Sequence, residues 1–187
     1  MAVFSRAEAK VSLSLLEATL EATADGILVT DGQGRLVRFN RKFAAMWRLS
    51  DEVLAAGSDE AALQFVLAQL SEPARFLNQV RDLYGQPGAT SFDVLRFTDS
   101  RVFERYSQPQ RVGETIVGRV WSFRDVTESR RAQEELRSSQ SKLQALFDMS
   151  PLGMARNGMD GKFHEMNPAF CRMLGYTVDE LKDLSYW

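Results

Sequence analysis

Residues 25–43 read DGILVTDGQGRLVRFNRKF, and this stretch decides the fold. Two β-rich runs, 27–30 and 36–39, flank Asp31-Gly32-Gln33-Gly34, a turn whose glycines tolerate a positive φ. Asn40 comes directly after the second run, and its side-chain oxygen can accept hydrogen bonds from the free N–H groups at the start of a helix. The stretch therefore predicts a β-hairpin that leads straight into a helix carrying Phe43.

The pattern of this stretch returns once, later in the chain. When the sequence is shifted by 127 residues against itself, ungapped matches fall on residues with special backbone or packing roles: Gly26 with Gly153, Gly34 with Gly161, Asn40 with Asn167, Phe43 with Phe170, and Met46 with Met173. This period is far too long for a solenoid and indicates a tandem of domains. We therefore expect one whole unit and the first part of a second, truncated one.

The rest of the first unit divides into helices and then strands. Helical signals continue as far as Gly85, and three β-rich runs follow at 91–97, 101–106 and 115–123. Segregated helices and strands predict an α+β fold, with a five-stranded antiparallel sheet and helices on one face. The predicted domains are an N-terminal flanking helix at 1–23, the α+β unit at 24–126, a connecting helix at 127–149 and the truncated second unit at 150–187.

Composition limits the chemistry and the location of the protein. The 187 residues carry a net charge of −2, with one His and one Cys. This charge offers no basic field for nucleic acid and no polybasic patch for an anionic membrane. The single Cys171 excludes an intrachain disulfide and any multi-thiolate metal site, which is typical of a reducing compartment. Because no apolar run approaches the roughly 20 residues of a membrane-spanning helix, we expect a cytoplasmic chain without membrane contact.

The order of these parts resembles the PAS domain of bacterial signalling proteins. The resemblance rests on the strand entry Asp25-Gly26-Ile27, the turn at 31–34, the helix start Asn40-Arg41-Lys42-Phe43, and the strand 118–123 that runs into Arg124-Asp125-Val126-Thr127-Glu128. That last segment is similar to the Asp-Ile-Thr ending by which PAS domains pass into a signalling helix. The second unit repeats these signs in Gly158-Met159-Asp160-Gly161 and Asn167-Pro168-Ala169-Phe170. The chain thus resembles a tandem PAS fragment, of the kind found in histidine kinases and diguanylate cyclases.

The resemblance implies a sensory function. PAS modules have a small cavity between sheet and helices, and they bind a small molecule, hold a cofactor or dimerise to regulate an output domain. For this chain the resemblance implies signal input, as in two-component systems, to a kinase or diguanylate cyclase beyond the C-terminus. It also implies a homodimer through the flanking and connecting helices. A ligand-free interaction and dimerisation module is the alternative.

Eight residues of the first unit form the candidate cavity wall. They are the large apolar and aromatic residues Met46, Trp47, Phe65, Phe76, Val80, Phe92, Trp121 and Phe123. The same cluster is typical of a plain hydrophobic core, so both interpretations stay open. Arg96, Arg105 and Tyr106 are candidate polar contacts to an anionic or carbonyl ligand, although solvated positions at the sheet edge account for them as well.

The sequence contains no motif of catalysis. It lacks a phosphate-binding Gly-rich loop, a His-Glu-x-x-His metal motif and a Gly-x-Ser-x-Gly elbow, so we expect no catalytic residue in this chain. His164 suits haem by residue type, but its predicted strand in the second unit argues against haem. Cys171 lies outside the Asn-Cys-Arg-Phe signature of flavin-binding relatives, which argues against photoreactive flavin chemistry. The cofactor, if any, stays unknown.

The connecting helix contains the candidate signal-transfer residues, which are Asp125, Thr127, Glu128, Leu136 and Leu143. Asp125 is positioned to cap the helix. Apolar or small side chains recur at 132, 136, 139, 143 and 146, in alternating steps of four and three, and they form a narrow seam. So short a seam predicts a weak coiled coil whose helices shift register at small energetic cost. A plain spacer helix is the alternative.

Overall fold

A five-stranded antiparallel sheet organises the first unit. The computed structural model describes residues 6–50 and 59–184 and divides the chain into two compact units, 1–128 and 129–187. The strands are β1 (Gly26–Asp31), β2 (Leu36–Phe39), β3 (Ser91–Arg96), β4 (Val102–Val112) and β5 (Thr115–Asp125), in the order β2-β1-β5-β4-β3. The predicted α+β fold with a five-stranded antiparallel sheet is therefore confirmed.

Four of the described helices belong to this first unit, and a fifth begins at its C-terminal boundary. They are α1 (Arg6–Glu21), α2 (Arg41–Met46), α3 (Asp59–Leu67), α4 (Pro73–Gly85) and α5 (Thr127–Met149). Residues 1–5 of the predicted flanking helix lie outside the described residues. Pro73 suits the first position of α4, where a helix has no use for the missing N–H. None of the described helices combines the length and the apolar character needed to cross a bilayer.

The core of the first unit lies between the sheet and helices α2 to α4. Trp47, just after α2, stands at its centre: its ring centroid is 5.1 Å from that of Phe97 and 5.4 Å from that of Phe123. The other buried apolar members are Phe43, Met46, Leu49, Val66, Leu70, Phe76, Leu83, Leu95, Phe103 and Trp121. Offset and edge-to-face ring contacts of this kind add to the stabilisation that burial provides.

Strands β4 and β5 form a longer hairpin than the sequence predicts. The sequence predicts strands at 101–106 and 115–123, whereas in the structure β4 extends to Val112 and only Gly113 and Glu114 separate it from β5. Gly113, with φ +60°, makes the reversal of the chain there. Pro109 lies inside β4, where proline is normally excluded. The pairing with β3 ends at Ser107, so from that point β4 has a neighbour on one side only, and proline is tolerated there.

Asn40 joins three elements of the first unit. Its Oδ1 accepts hydrogen bonds from the backbone N–H of Phe43 at 2.9 Å, which caps α2, and from that of Ile27 in β1 at 2.8 Å. Its Nδ2 donates to three oxygens at the junction of α1 and β1: Leu20 O, Thr23 Oγ1 and Asp25 O, each at 3.0 Å. This fully buried side chain therefore fixes the hairpin against both the preceding and the following helix.

The second unit contains the same arrangement around Asn167. Here β6 (Ala155–Asn157) pairs with β7 (Phe163–Met166), and α6 (Pro168–Leu174) and α7 (Val178–Lys182) follow. Asn167 Oδ1 accepts from the N–H groups of Met154 and Phe170, and its Nδ2 donates to Phe147 O and Leu152 O. Each of these four partners lies 127 residues after a partner of Asn40. The sequence repeat thus corresponds to a repeated hydrogen-bond network.

Candidate ligand cavity

A cavity of about 320 Å³ lies within the first unit, between the sheet and the helices. Strands β1, β2, β4 and β5 form one wall, and α3 and α4 together with residues of and after α2 form the other. Its lining is mainly apolar and includes Leu28, Thr30, Leu36, Phe43, Trp47, Leu49, Val66, Phe76, Val80, Tyr84, Arg105, Trp121 and Phe123. Volume and lining are both typical of small-molecule sites in proteins.

The structure places five of the eight predicted wall residues on this cavity: Trp47, Phe76, Val80, Trp121 and Phe123. Met46 is instead buried in the core beside it. Phe65 and Phe92 do not line the cavity and are 39% and 62% exposed. On α3 the next residue, Val66, lines it instead, because consecutive side chains of a helix point about 100° apart. On β3 the inward positions are those of Asp93 and Leu95, because a shift of one residue along a strand reverses the face.

Arg105 is the charged residue among those that line the cavity, and the alternative expectation that it lies at a solvated sheet edge is wrong. Its side chain is 0% exposed and forms an ion pair with Asp93, directly opposite on β3. Nε donates to Asp93 Oδ1 at 2.8 Å, and Nη2 donates to Asp93 Oδ2 and to Gln79 Oε1. Arg96 and Tyr106, by contrast, are exposed. The burial of Arg105 could have been predicted from the alternation of side chains along a strand, because Phe103, Arg105 and Ser107 occupy the same face of β4.

Two aromatic rings of the cavity wall face this guanidinium. The Cζ atom of Arg105 is 4.7 Å from the ring centroid of Phe76 and 5.2 Å from that of Trp121. Such cation–π contacts offset part of the cost of burying the charge. Together with Asp93, they hold Arg105 rigidly in the wall.

A second polar group of the wall centres on Thr30. Its Oγ1 is 2.8 Å from the Tyr84 hydroxyl and accepts a hydrogen bond from Trp121 Nε1 at 3.2 Å. This group links β1, α4 and β5 across one end of the cavity. The N–H of Trp121 and the hydroxyl of Tyr84 therefore each have a hydrogen-bond partner within the protein.

Arg119 fixes the C-terminal end of α4 to the sheet. This buried side chain on β5 donates through Nη1 to Ser107 Oγ at 3.0 Å, and through Nη2 to four main-chain oxygens, those of Leu83, Gln86, Pro87 and Ala89. Burial lowers the pKa of the Arg119 guanidinium from its ordinary value. The carbonyl oxygens at the end of a helix have a partial negative charge, which suits the cation.

Strand β5 connects the cavity to α5. Two residues after Phe123, Asp125 Oδ1 accepts from the N–H of Thr127 at 2.9 Å, at the first residue of α5. Thr127 Oγ1 accepts in turn from the N–H of Val102 in β4 at 3.0 Å. The predicted signal-transfer residues Asp125, Thr127 and Glu128 lie at this junction, whereas Leu136 and Leu143 lie further along α5 and are 60% and 65% exposed.

An ion pair between Asp25 and Arg124 adjoins the same junction. Arg124 donates from Nε and from Nη2 to the two carboxylate oxygens of Asp25, each at 2.9 Å. These hydrogen bonds hold the pKa of the Asp25 carboxyl below its usual value. The pair joins the start of β1 to the end of β5, next to the capping residue of α5.

The two residues considered for cofactors lie in the second unit. His164 is on β7, half-exposed, with Nε2 3.6 Å from Asp160 Oδ1. Cys171 is on α6 as a free thiol. Among residues 6–50 and 59–184, no group of three or more His, Cys, Asp or Glu side chains is arranged to hold a metal ion.

Two family models match the sequence. One is described as PAS fold and matches residues 20–134, more than half of the chain; the other is described as PAS domain and matches residues 141–186. Sensor protein DivL of Caulobacter vibrioides is 27% identical over 176 residues, which cover 92% of this chain and 22% of DivL. The chain therefore spans about a fifth of the length of this curated relative.

Solved structures of PAS domains are similar to part of this chain. The PAS domain of Bordetella pertussis BvgS is 16% identical, with a TM-score of 0.51, and the match covers 71% of this chain and 98% of that one. The PAS domain of a Colwellia psychrerythraea protein is 20% identical, with a TM-score of 0.44 and coverages of 63% and 98%. At these identities the BvgS match is evidence for the fold alone.

Proposed function

This chain belongs to the PAS-domain family of bacterial sensory proteins, and on that basis we propose that its first unit senses a small molecule in the cavity and signals through α5. PAS domains are sensory modules of signal transduction, typical of histidine kinase systems. The proposed output is a kinase or diguanylate cyclase domain in the same cytoplasmic protein. In this proposal catalysis belongs to that output domain.

The observation that supports this proposal is the continuity of β5. Trp121 and Phe123 line the cavity, and the same strand ends at Asp125, the residue that caps α5. A ligand that displaces either ring changes the position of β5 within two residues of the helix start. Thr127, the first residue of α5, is also hydrogen-bonded to β4. Such a displacement therefore changes the contacts of the helix start with both strands.

Native mass spectrometry tests the ligand. We expect the purified chain to retain a non-covalent small molecule that a cavity-filling substitution, Val80→Trp, displaces while the circular dichroism spectrum is unchanged. The matched control is Val37→Trp, at an exposed position of β2, which should retain the molecule. If neither the wild type nor Val37→Trp binds a small molecule, even after exposure to a cell extract, the cavity is a plain core and ligand sensing is excluded.

A dimerisation module is the second candidate function, and the exposed apolar residues of α1 and α5 favour it. On α1, Val11, Leu13, Leu15 and Leu16 are each more than half exposed, and Leu136, Leu143, Leu146 and Met149 on α5 are so as well. Exposed rows of large apolar side chains mark interaction surfaces. We propose that these two helices pair with their equivalents in a second copy.

Two charges in the seam of α5 should weaken such a dimer. We expect Leu136→Glu with Leu143→Glu to raise the dissociation constant about tenfold or more, because like charges then face each other where apolar side chains paired. Light scattering over a concentration series measures the mass. The control, Ser138→Glu with Ser141→Glu, adds the same charge away from the seam and should leave the mass unchanged. An unaltered dimer in the leucine double variant would contradict the seam.

The domain division predicted from sequence completes the proposal. We place a flanking helix at 1–23, the first PAS domain at 24–126, the signalling helix at 127–149 and the beginning of a second PAS domain at 150–187. The family match at 141–186 and the network around Asn167 support the second PAS assignment. Residues 185–187 lie outside the described residues.

A further inference from the structure

Two buried N–H groups of the cavity wall have no acceptor. They are Nε1 of Trp47 and Nη1 of Arg105, and no described residue offers either of them a hydrogen bond. Both side chains are almost completely buried, at 1% and 0% exposure, and both line the cavity. Buried donors are nearly always paired in folded proteins, so each exception calls for a physical reason.

Other polar groups of the wall do have hydrogen-bond partners, unlike these two N–H groups. Trp121 Nε1 has Thr30 Oγ1 as its acceptor, and the Tyr84 hydroxyl is bonded to the same atom. The remaining nitrogens of Arg105 are bonded to Asp93 and Gln79. Phe76 and Trp121 stabilise the positive charge of the guanidinium, but a ring face is a poor substitute for an acceptor lone pair at Nη1. Among the described residues that line the cavity, the buried donors without a partner are thus those of Trp47 and Arg105.

The charges around these donors favour a neutral acceptor. Asp93 neutralises Arg105 through two parallel hydrogen bonds. The other buried cation near the cavity, Arg119, is held by four carbonyl oxygens and a hydroxyl, and it does not line the cavity. An anionic ligand would therefore bring an uncompensated charge into an apolar site, which is unfavourable. A carbonyl oxygen or a ring nitrogen uses the same donors without that cost.

The size and lining of the cavity define the rest of the ligand. About 320 Å³ corresponds to roughly ten water volumes, enough for a compound of one or two rings. The aromatic side chains around this space, among them Phe43, Phe76 and Phe123, suit the faces and edges of another ring.

We propose that the cavity binds a neutral, largely aromatic compound of one or two rings, whose carbonyl oxygen or ring nitrogen accepts hydrogen bonds from Trp47 Nε1 and Arg105 Nη1. This inference rests on the proposed function, because it names the chemical class of the ligand that the first unit senses. It also assigns Trp47 a recognition role in addition to its place in the core.

Three probes of nearly equal shape test the inference by calorimetry on the full chain, refolded free of ligand. These are 2-acetylnaphthalene with a neutral acceptor, 2-ethylnaphthalene without one, and anionic 2-naphthoate. We expect acetylnaphthalene to bind about tenfold more tightly than either of the others, as the net contribution of a hydrogen bond predicts. Equal binding of the first two probes, or tightest binding of naphthoate, would overturn the inference about the ligand class. The proposal that the cavity is a ligand site would still stand in either case.

Two tryptophan substitutions sharpen this test. Trp47→Phe keeps an aromatic, although smaller, side chain and removes the donor, so the preference for acetylnaphthalene over ethylnaphthalene should fall to about threefold or less. Trp121→Phe serves as the comparison: its N–H is already bonded to Thr30, so both affinities should change in parallel and their ratio should persist. An undiminished ratio in Trp47→Phe would contradict a bond from Nε1.

A change of charge probes the neutrality of the site. Asp93→Asn removes the negative charge beside Arg105, so naphthoate should gain about tenfold in affinity relative to acetylnaphthalene. No gain would contradict the role given to Asp93. If no probe binds the wild type, the inference fails, and the mass spectrum of the protein as purified decides whether ligand sensing fails with it.

Discussion

Replacing Asn40 with alanine is expected to lower the free energy of unfolding of the first unit by about 3–5 kcal/mol. Loss of the cap on α2 accounts for about 1 kcal/mol of this. The larger part comes from the other groups that lose hydrogen bonds. The N–H of Ile27 would lose its acceptor in a site where Asn40 itself was fully buried, and the carbonyl oxygens of Leu20 and Asp25 would be left to share the single hydroxyl proton of Thr23.

Urea unfolding, followed by the fluorescence of the buried Trp47 and Trp121, measures this loss. Asn40→Asp is an informative companion, because it keeps the acceptor for Phe43 and Ile27 but places a carboxylate oxygen against the carbonyl oxygens that the amide nitrogen had bonded. We expect its stability to lie between those of the wild type and the alanine variant. The exposed Asn78→Ala on α4 should stay within about 0.5 kcal/mol of the wild type. A loss below about 1 kcal/mol for Asn40→Ala would contradict the network.

Replacing Asp93 with alanine is the second large effect, with an expected loss of about 3–5 kcal/mol. The substitution leaves the guanidinium of Arg105 charged, fully buried and deprived of its counter-ion. Its other hydrogen-bond partner, Gln79, is neutral and binds only one of its nitrogens. The contacts with Phe76 and Trp121 compensate for only part of that charge.

The same unfolding measurement tests this prediction, with an exposed ion pair for comparison. Glu17 and Arg38 are bonded at 2.6 Å, but both side chains are more than 40% exposed. Glu17→Ala should therefore cost less than about 1 kcal/mol. If Asp93→Ala proved as mild as Glu17→Ala, the pair in the cavity wall would have to be accessible to water.

The parts of this fold that local chemistry controls could be predicted from the sequence. The hairpin at 26–39 depends on a turn that a few residues specify, and the cap by Asn40 depends on residues within three positions of it. The segment around Asn167 has the same local pattern, so the sequence contains this hairpin-and-cap signal twice. Strand pairing is different: residues 108–111 are Gln-Pro-Gln-Arg, which are not β-rich, and they extend β4 only because β5 pairs with them.

The cavity wall could be predicted only in part, and the two side chains that were wrongly assigned to it share one cause. Phe65 and Phe92 are as apolar as the residues that do line the cavity, so hydrophobicity alone does not separate them. Only the rotation of α3 and the register of β3 decide which side faces inward. A solvated position is an equally natural expectation for Arg105, because charged residues usually lie at the surface. Its partner Asp93 is on another strand, and the pairing of β3 with β4 brings the two together.

Both ends of α4 are bonded to the sheet. Arg119 and the Tyr84–Thr30 hydrogen bond hold its C-terminal end, and Leu70 and Ser71, just before its first residue, are bonded to the end of β3. The distance between α4 and the sheet is therefore set from both sides, so flat compounds should be tolerated in the cavity better than compounds with bulky out-of-plane groups.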